Sequence, residues 1–135
     1  MTSNEYDFFL HFAKEDEKAA YEVLEILEEE YKHRKLKGYI VDRDFDCVGN
    51  KFKLEEAIKD IDIIFVILSQ NSERDKEFMH MNTLIMTIHL KNEEKRKTIP
   101  IYIDEDVEDK YIFKTLQGIP YNSRNFLSKM KNIFP

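Results

Sequence analysis

Cysteine, tryptophan, glycine and proline are scarce in this chain of 135 residues, which has one cysteine, no tryptophan, three glycines and three prolines. Since a single cysteine cannot form an internal disulfide, nothing indicates an oxidising compartment, and we expect a cytoplasmic location. With so few glycines, the chain has neither a GxGxxG nor a GK[ST] spacing, so a glycine-rich phosphate-binding loop is excluded.

Long apolar runs are also absent. The longest, "IDIIFVIL" at residues 61–68, is much shorter than the roughly 18–20 residues of a membrane span, so we expect no direct insertion into a membrane. The first residues, "MTSNEYD", resemble neither a signal peptide nor a myristoylation site. Whether the chain is a full-length protein or an excised domain stays open at this point.

Positive charge is in the minority, with 21 lysines and arginines against 27 acidic residues and a formal net charge of −6. Nucleic acid binding needs a basic face, so we expect no nucleic acid partner. The basic stretch "KNEEKRK" at residues 91–97 contains two glutamates, and a solvated loop explains it more simply.

The residue patterns of common enzymes are missing too. There is no GxSxG turn for a serine nucleophile. Cys47 lies between Asp46 and Val48, and the nearby carboxylates of Asp44 and Asp46 disfavour a reactive thiolate, so we interpret this cysteine as structural or incidental.

The four histidines do not form an i,i+4 pair, and no CxxC pair accompanies the cysteine. We therefore predict no metal site and no cofactor. His11 has aromatic neighbours on both sides, which favours a half-buried, hydrogen-bonded core residue over a catalytic one.

The chain does contain strong α/β patterning, within a composition that is 42% hydrophobic and 36% charged. Four nearly continuous apolar runs predict strands covered on both faces, at residues 6–12, 38–41, 62–68 and 98–103. Pro100 lies in the fourth run and indicates a strand near an edge of the sheet, where a missing N–H is tolerated.

Helical periodicity separates these runs. The segment after Asp16, a candidate N-cap, has an apolar stripe of Ala20, Val23, Leu24, Leu27 and Tyr31. Further helices are predicted at residues 51–60, 72–90 and 121–134, with a weaker one at 106–116. The stripe of the helix at 72–90 comprises Phe78, Met81, Ile85 and Ile88.

Alternating strands and helices predict one three-layer α/β domain over residues 1–135, with a parallel sheet. Its functional surface should lie at the carboxyl ends of the strands. The segment "RDFDCVGN" at residues 43–50 follows the second strand and so falls at that edge.

Three segments occur in the order "YDFFLHFAKED", "YIVDRDFDCVGNKF" and "AIKDIDIIFVILSQN". They resemble, in turn, the first signature box, the second box with its BB loop, and the third-strand region of Toll/interleukin-1 receptor (TIR) domains. The later segments "MNTLIMTIHL", "TIPIYID" and "FKTLQGIPY" are most similar to the TIR domains of the adaptors TRIF and TRAM. The resemblance implies a flavodoxin-like fold, with a parallel sheet of order 2-1-3-4-5 and helices on both faces.

The same resemblance implies a non-enzymatic adaptor of innate immune Toll-like receptor signalling. Its partners would be other TIR-domain receptors or adaptors and, in a weak homo-oligomer, itself. The implied contacts are the BB loop, formed by Arg43, Asp44, Phe45, Asp46, Cys47, Val48, Gly49 and Asn50, and Glu73, Arg74, Glu77 and His80 of the helix at 72–90. TIR domains usually have proline where Val48 stands.

Two alternatives remain open. TIR enzymes that cleave NAD use a glutamate on the helix after the third strand, and here that position aligns with Met81. A thioether cannot stabilise a ribosyl cation, so no catalytic residue is expected unless Glu77, one turn earlier, substitutes. The chain could equally be the intracellular domain of a receptor.

Overall fold

The computed structural model describes residues 6–40, 61–90, 97–103, 119–121 and 126–134, without the side chains of residues 73, 86 and 88–90. The loop predicted at 43–50 and the helices predicted at 51–60 and 106–116 lie outside the described residues.

In the described part of the chain, five strands form one parallel sheet, in the order β2-β1-β3-β4-β5. Their bounds are Phe8–His11 (β1), Gly38–Tyr39 (β2), Ile63–Leu68 (β3), Lys97–Tyr102 (β4) and Ile119–Pro120 (β5). The predicted fold class and strand order are confirmed. The four apolar runs are strands whose ends lie within two residues of the predicted ends, whereas β5, as described, has two residues and no apolar run in the sequence predicts it.

Three helices within the described ranges accompany the sheet: α1 (Glu17–Glu30), α2 (Lys76–Leu90) and α3 (Phe126–Met130). A 3-10 turn at Lys14–Asp16 leads into α1, and another at Ser72–Arg74 precedes α2. Helix α2 starts four residues later than the sequence pattern indicates because Asp75 intervenes. The carboxylate of Asp75 accepts a 3.0 Å hydrogen bond from the backbone N–H of Phe78, which is how an N-cap residue acts.

The core has two layers because successive strand residues point to opposite faces of the sheet. Phe8 and Leu10 of β1 pack in the layer that contains α1 and α3, whereas Phe9 packs in the layer that contains Phe78 and Ile85 of α2. All five residues of the predicted α1 stripe are buried: Ala20, Val23, Leu24, Leu27 and Tyr31. Of the predicted α2 stripe, Phe78 and Ile85 are buried, Met81 is half-buried, and the side chain of Ile88 is not described.

Pro100 lies on the side of β4 that faces away from β3. Lys97 and Ile103 donate their backbone N–H groups to Asp62 and Leu68, so the odd positions of this strand face β3. The even positions face β5, whose described residues pair with Ile101 and Tyr102. The missing N–H of Pro100 therefore removes no hydrogen bond to β3, which confirms the predicted position near an edge.

Candidate functional site at the carboxyl edge of the sheet

A cleft of about 310 Å³ opens beside the carboxyl end of β1. His11 and Phe12 at the end of β1 form one side, Lys14 follows in the 3-10 turn, and Glu77 and Met81 come from the first turns of α2. These residues lie close together because the segments after β1 and β3 both leave the sheet at its carboxyl edge. This is where a functional surface is expected in such a fold.

His11 lies at the base of the cleft and is only 8% exposed. Its ring stacks on Phe78, with centroids 4.4 Å apart and planes 9° from parallel, and its Nε2 lies 3.3 Å from the carbonyl oxygen of Phe78. Burial lowers the pKa of His11 to about 4, despite hydrogen bonds to Phe78 and Asn82 and the charge of Asp75, which raise it. At neutral pH the ring therefore carries no charge and serves as an aromatic surface. The predicted hydrogen-bonded core role is confirmed, with deeper burial than expected.

Acidic groups outnumber basic ones among the described residues that line the cleft. Glu17, Asp75 and Glu77 contribute carboxylates, and Lys14 contributes a single ammonium group. Because His11 is neutral, the lining carries more negative than positive charge at pH 7.

Met81 and Glu77 both line the cleft, one helical turn apart on α2. The Met81 side chain is half-buried, whereas Glu77 is exposed at the rim. The position that the resemblance assigns to a catalytic carboxylate therefore presents a thioether to the cleft, and the nearest carboxylate on the same helix face is on the solvent side.

A buried carboxylate joins the turn after β1 to the turn after β3. Asp16 is 6% exposed and accepts a 2.5 Å hydrogen bond from the hydroxyl of Ser69. The amide of Asn71 approaches its other oxygen at 3.4 Å. Asp16 does occupy the N-cap position of α1, as predicted, but its side chain makes no capping hydrogen bond. The expected capping role is therefore wrong, and the carboxylate connects two loops instead.

Ser69 and Ser72 fix the shape of the turn after β3. The N–H of Ser69 donates to Oγ of Ser72 at 2.9 Å, and the N–H of Ser72 donates to Oγ of Ser69 at 3.1 Å. The hydroxyl of Ser72 donates in turn to the carbonyl oxygen of Ser69 at 2.9 Å. Since both serines are 1% exposed, this closed set of bonds fixes the turn that leads from β3 to the 3-10 turn before α2.

The predicted contact residues divide into two groups. Arg43, Asp44, Phe45, Asp46, Cys47, Val48, Gly49 and Asn50 lie outside the described residues. On the α2 side, Arg74, Glu77 and His80 are exposed at the carboxyl edge, and Glu73 belongs to the 3-10 turn, its side chain not described. The sequence did not single out Phe12 or Lys14 as part of a site, because nothing in a strand end or a charged turn shows which helix will face it.

Comparison with solved structures finds a similar fold in the TIR domain of the Toll-related receptor TRR-2 from Hydra magnipapillata, a lower metazoan. The two structures match over 95% of this chain and 97% of that chain, with a TM-score of 0.68 and 18% sequence identity. This chain has the fold of a TIR domain. Comparisons with protein-family models and with curated proteins gave no match.

In TIR terms, the cleft lies between the first-box segment and the helix after the third strand. Asp16 in the acidic turn of the first box is bonded to Ser69 and Asn71 in the Ser-x-Asn of the third-strand region. Two of the three resembling segments are thus joined directly by their polar residues. Within the described part of the chain, no helix is long and apolar enough to cross a membrane.

Proposed function

We propose that this chain is a non-enzymatic signalling adaptor domain that binds other TIR domains and itself in the cytoplasm. The observation that carries the proposal is the TIR fold along 95% of the chain, and Met81, which lines the cleft, supports it, because the sequence resemblance aligns this residue with the carboxylate of NAD-cleaving TIR enzymes. The resemblance of the later segments to TRIF and TRAM favours an adaptor of Toll-like receptor signalling over a receptor domain.

The chemistry of the cleft supports a binding role over NAD cleavage. Breaking the bond between nicotinamide and ribose develops positive charge on the sugar, which a buried or closely placed anion must stabilise. Met81 cannot do this. The acidic residues that line the cleft also repel the two phosphates of NAD, with Lys14 as the opposing charge among the described lining residues.

Two neighbouring segments would form the contact surface. The loop at 43–50 follows the second strand, and Arg74, Glu77 and His80 lie exposed where α2 begins. Charged residues there would set orientation and reject wrong partners, and Phe45 and Val48 would supply apolar contact. Single contacts of this kind are weak, so strength would come from assembling several copies.

Pull-down of TIR-domain partners, together with sedimentation of the purified domain, tests the proposed surface. We expect Arg43→Glu with Phe45→Ala to weaken both partner capture and self-association at least about tenfold. Lys129→Glu with Ser128→Ala is the matched control, with the same charge change and a truncation to alanine at two exposed positions of α3. If the control weakens partner capture and self-association equally, or if the loop variant weakens neither, the loop is not part of the binding surface.

One observation favours NAD cleavage as a second candidate function. Glu77 lines the same cleft as Met81, at the adjacent turn of α2, and could reach a substrate that entered from the rim. Nicotinamide release from NAD at high protein concentration decides the matter, and we expect none above the buffer blank. Release by the parent chain that disappears in Glu77→Ala would instead establish an enzyme whose active carboxylate is Glu77.

A further inference from the structure

The exposed face of α1 carries a row of like charges. Glu22, Glu25 and Glu29 are spaced by three and four residues, so they lie along one side of the helix, and all are exposed. Carboxylates at these spacings repel one another and weaken the helix that carries them. Glu25, Glu29 and Glu30 also surround a shallow depression on the surface, with half-buried Ile26 among them.

The end of α1 makes this arrangement less favourable still. The last turn contains Glu29 and Glu30 and no basic residue, although the carbonyl end of a helix favours positive charge. Lys32 does approach Glu29 at 3.0 Å, but both side chains are about three-quarters exposed, at 73% and 75%, so water screens the pair. Glu22 also accepts a 3.4 Å hydrogen bond from the hydroxyl of Tyr121, at an exposed position. Because both contacts of the row are exposed and weak, the glutamates keep negative charge that a positively charged partner can meet.

A basic segment follows the acidic row directly. Lys32, Arg34, Lys35 and Lys37 fall within six residues, and all four are exposed, as is His33. Buried Leu36 anchors this segment to the core. We call residues 32–37 the basic turn and Glu22, Glu25, Glu29 and Glu30 the acidic row.

We propose that the basic turn of one copy docks on the acidic row of a second copy. A chain with a net charge of −6 repels its own copies over most of its surface, so attraction requires a place where basic and acidic segments meet. Every copy supplies both segments, which makes a second copy the partner with matching charge. The inference rests on the self-association proposed above and adds a second surface to it, separate from the loop at 43–50 and the start of α2.

This contact would be heterologous, because the two docking segments differ, and such contacts add copies head to tail. It would also leave the cleft accessible. Helix α1 starts at the carboxyl edge and runs back across the sheet, so its acidic end and the basic turn lie near the opposite edge, where the carbonyl oxygen of Lys37 accepts a hydrogen bond from the N–H of Asp7. A copy held there could still present the cleft and the start of α2 to another TIR domain.

Charge reversal tests the pairing in the whole chain by sedimentation velocity at low salt. Variant one is Glu25→Lys with Glu29→Lys, and variant two is Lys32→Glu with Lys35→Glu. Each variant leaves one docking segment without net charge, since two of its four charges are reversed, and we expect its dissociation constant for self-association to rise about tenfold. An equimolar mixture should form a dimer about as tightly as the parent, because the unaltered basic turn of variant one meets the unaltered acidic row of variant two. Raising the salt concentration should weaken the parent and the mixture alike.

Lys129→Glu with Lys131→Glu is the matched control, since it changes the net charge as variant two does but at the end of α3. If this control weakens association as much as variant two, overall charge and not the basic turn is responsible, and the inference fails. It fails equally if the parent self-associates and both reversal variants do so unchanged. A parent that stays monomeric at every concentration would overturn the proposed self-association itself, which is a separate result.

Discussion

The hydroxyl of Ser69 donates a 2.5 Å hydrogen bond to the carboxylate of Asp16, although 53 positions separate the two residues in the chain. Asp16 ends the turn after β1, and Ser69 begins the turn after β3. Because both are buried, neither can exchange this bond for one to water without local opening of the structure. The bond therefore fixes the relative position of the two loops that border the cleft.

Removing the Ser69 hydroxyl should destabilise the domain. In Ser69→Ala the Asp16 carboxylate keeps only the 3.4 Å approach of Asn71 among its described partners, and Ser72 loses a partner for its N–H. We expect the free energy of unfolding to fall by about 1–3 kcal/mol, measured by urea denaturation. Ser128→Ala, at an exposed position of α3, is the control, and a loss no larger than in the control would show that the bond contributes little.

His11 should make the domain less stable in mild acid. Its pKa is about 4 in the folded chain against an ordinary value of 6.5, so the unfolded chain binds a proton first as the pH falls. The free energy of unfolding is therefore at its full value above about pH 6.5 and falls progressively towards pH 4. Its decrease between pH 7 and pH 5 should be about 2 kcal/mol.

Denaturation curves at pH 7, 6 and 5 measure this dependence. His11→Phe preserves a ring to stack on Phe78 and removes the titrating group, so its stability should change less with pH than that of the parent. His33→Gln removes an exposed histidine and should keep the parent's profile. Identical profiles for His11→Phe and the parent would contradict the assignment of this pH dependence to His11.

Lys35 should be a site where glycine stabilises the chain. Its backbone has φ 55° and ψ 40°, the left-handed conformation in which a Cβ atom is unfavourable. Lys35→Gly should raise the free energy of unfolding by about 0.5–1 kcal/mol, which is measured as a higher melting temperature. Lys35→Ala removes the same side chain but keeps the Cβ, so it should not raise it, and an equal gain in both would mean that the side chain and not the backbone is responsible.

Gly38 should tolerate no side chain, for a reason of space. A Cβ at this position would lie 2.4 Å from ring atoms of Phe8 and 2.7 Å from Leu24 Cδ1, all in the core. Gly38→Ala should cost about 1–3 kcal/mol of unfolding free energy. Combining it with Phe8→Leu, which shortens the obstructing side chain, should cost less than the sum of the two single changes, and simple additivity would refute the steric explanation.

The parts of this fold that were predictable are those encoded by local patterns. The apolar runs gave four strands, and the spacing of Ala20, Val23, Leu24, Leu27 and Tyr31 gave the buried side of α1. The strand order came from the resemblance and not from the runs. The two-residue strand β5 has no pattern of its own, because its place depends on backbone pairing with Tyr102.

The candidate site was less predictable because its contacts join distant residues. The sequence placed Asp16 at a helix start, yet its hydrogen-bond partner lies 53 positions away. It placed His11 in the core, yet the residue that stacks on it, Phe78, is 67 positions away. Neither the spacing nor the residue types show which of the many serines and aromatic residues are the partners of Asp16 and His11. The loop at 43–50 remains a prediction.

The position of β1 inside the sheet has a consequence for how the chain is made. This strand lies between β2 and β3, and its residues Phe9, Leu10 and His11 are in register with Ile64, Phe65 and Val66. On a ribosome, the first strand to emerge therefore keeps one edge without its partner until more than fifty further residues have been synthesised. We expect the sheet to form only after β3 has been synthesised, and comparatively slowly, since long loops must close before the strand contacts that stabilise the fold can form. Until then the nascent chain exposes an apolar strand edge of the kind that other chains can pair with and that chaperones protect.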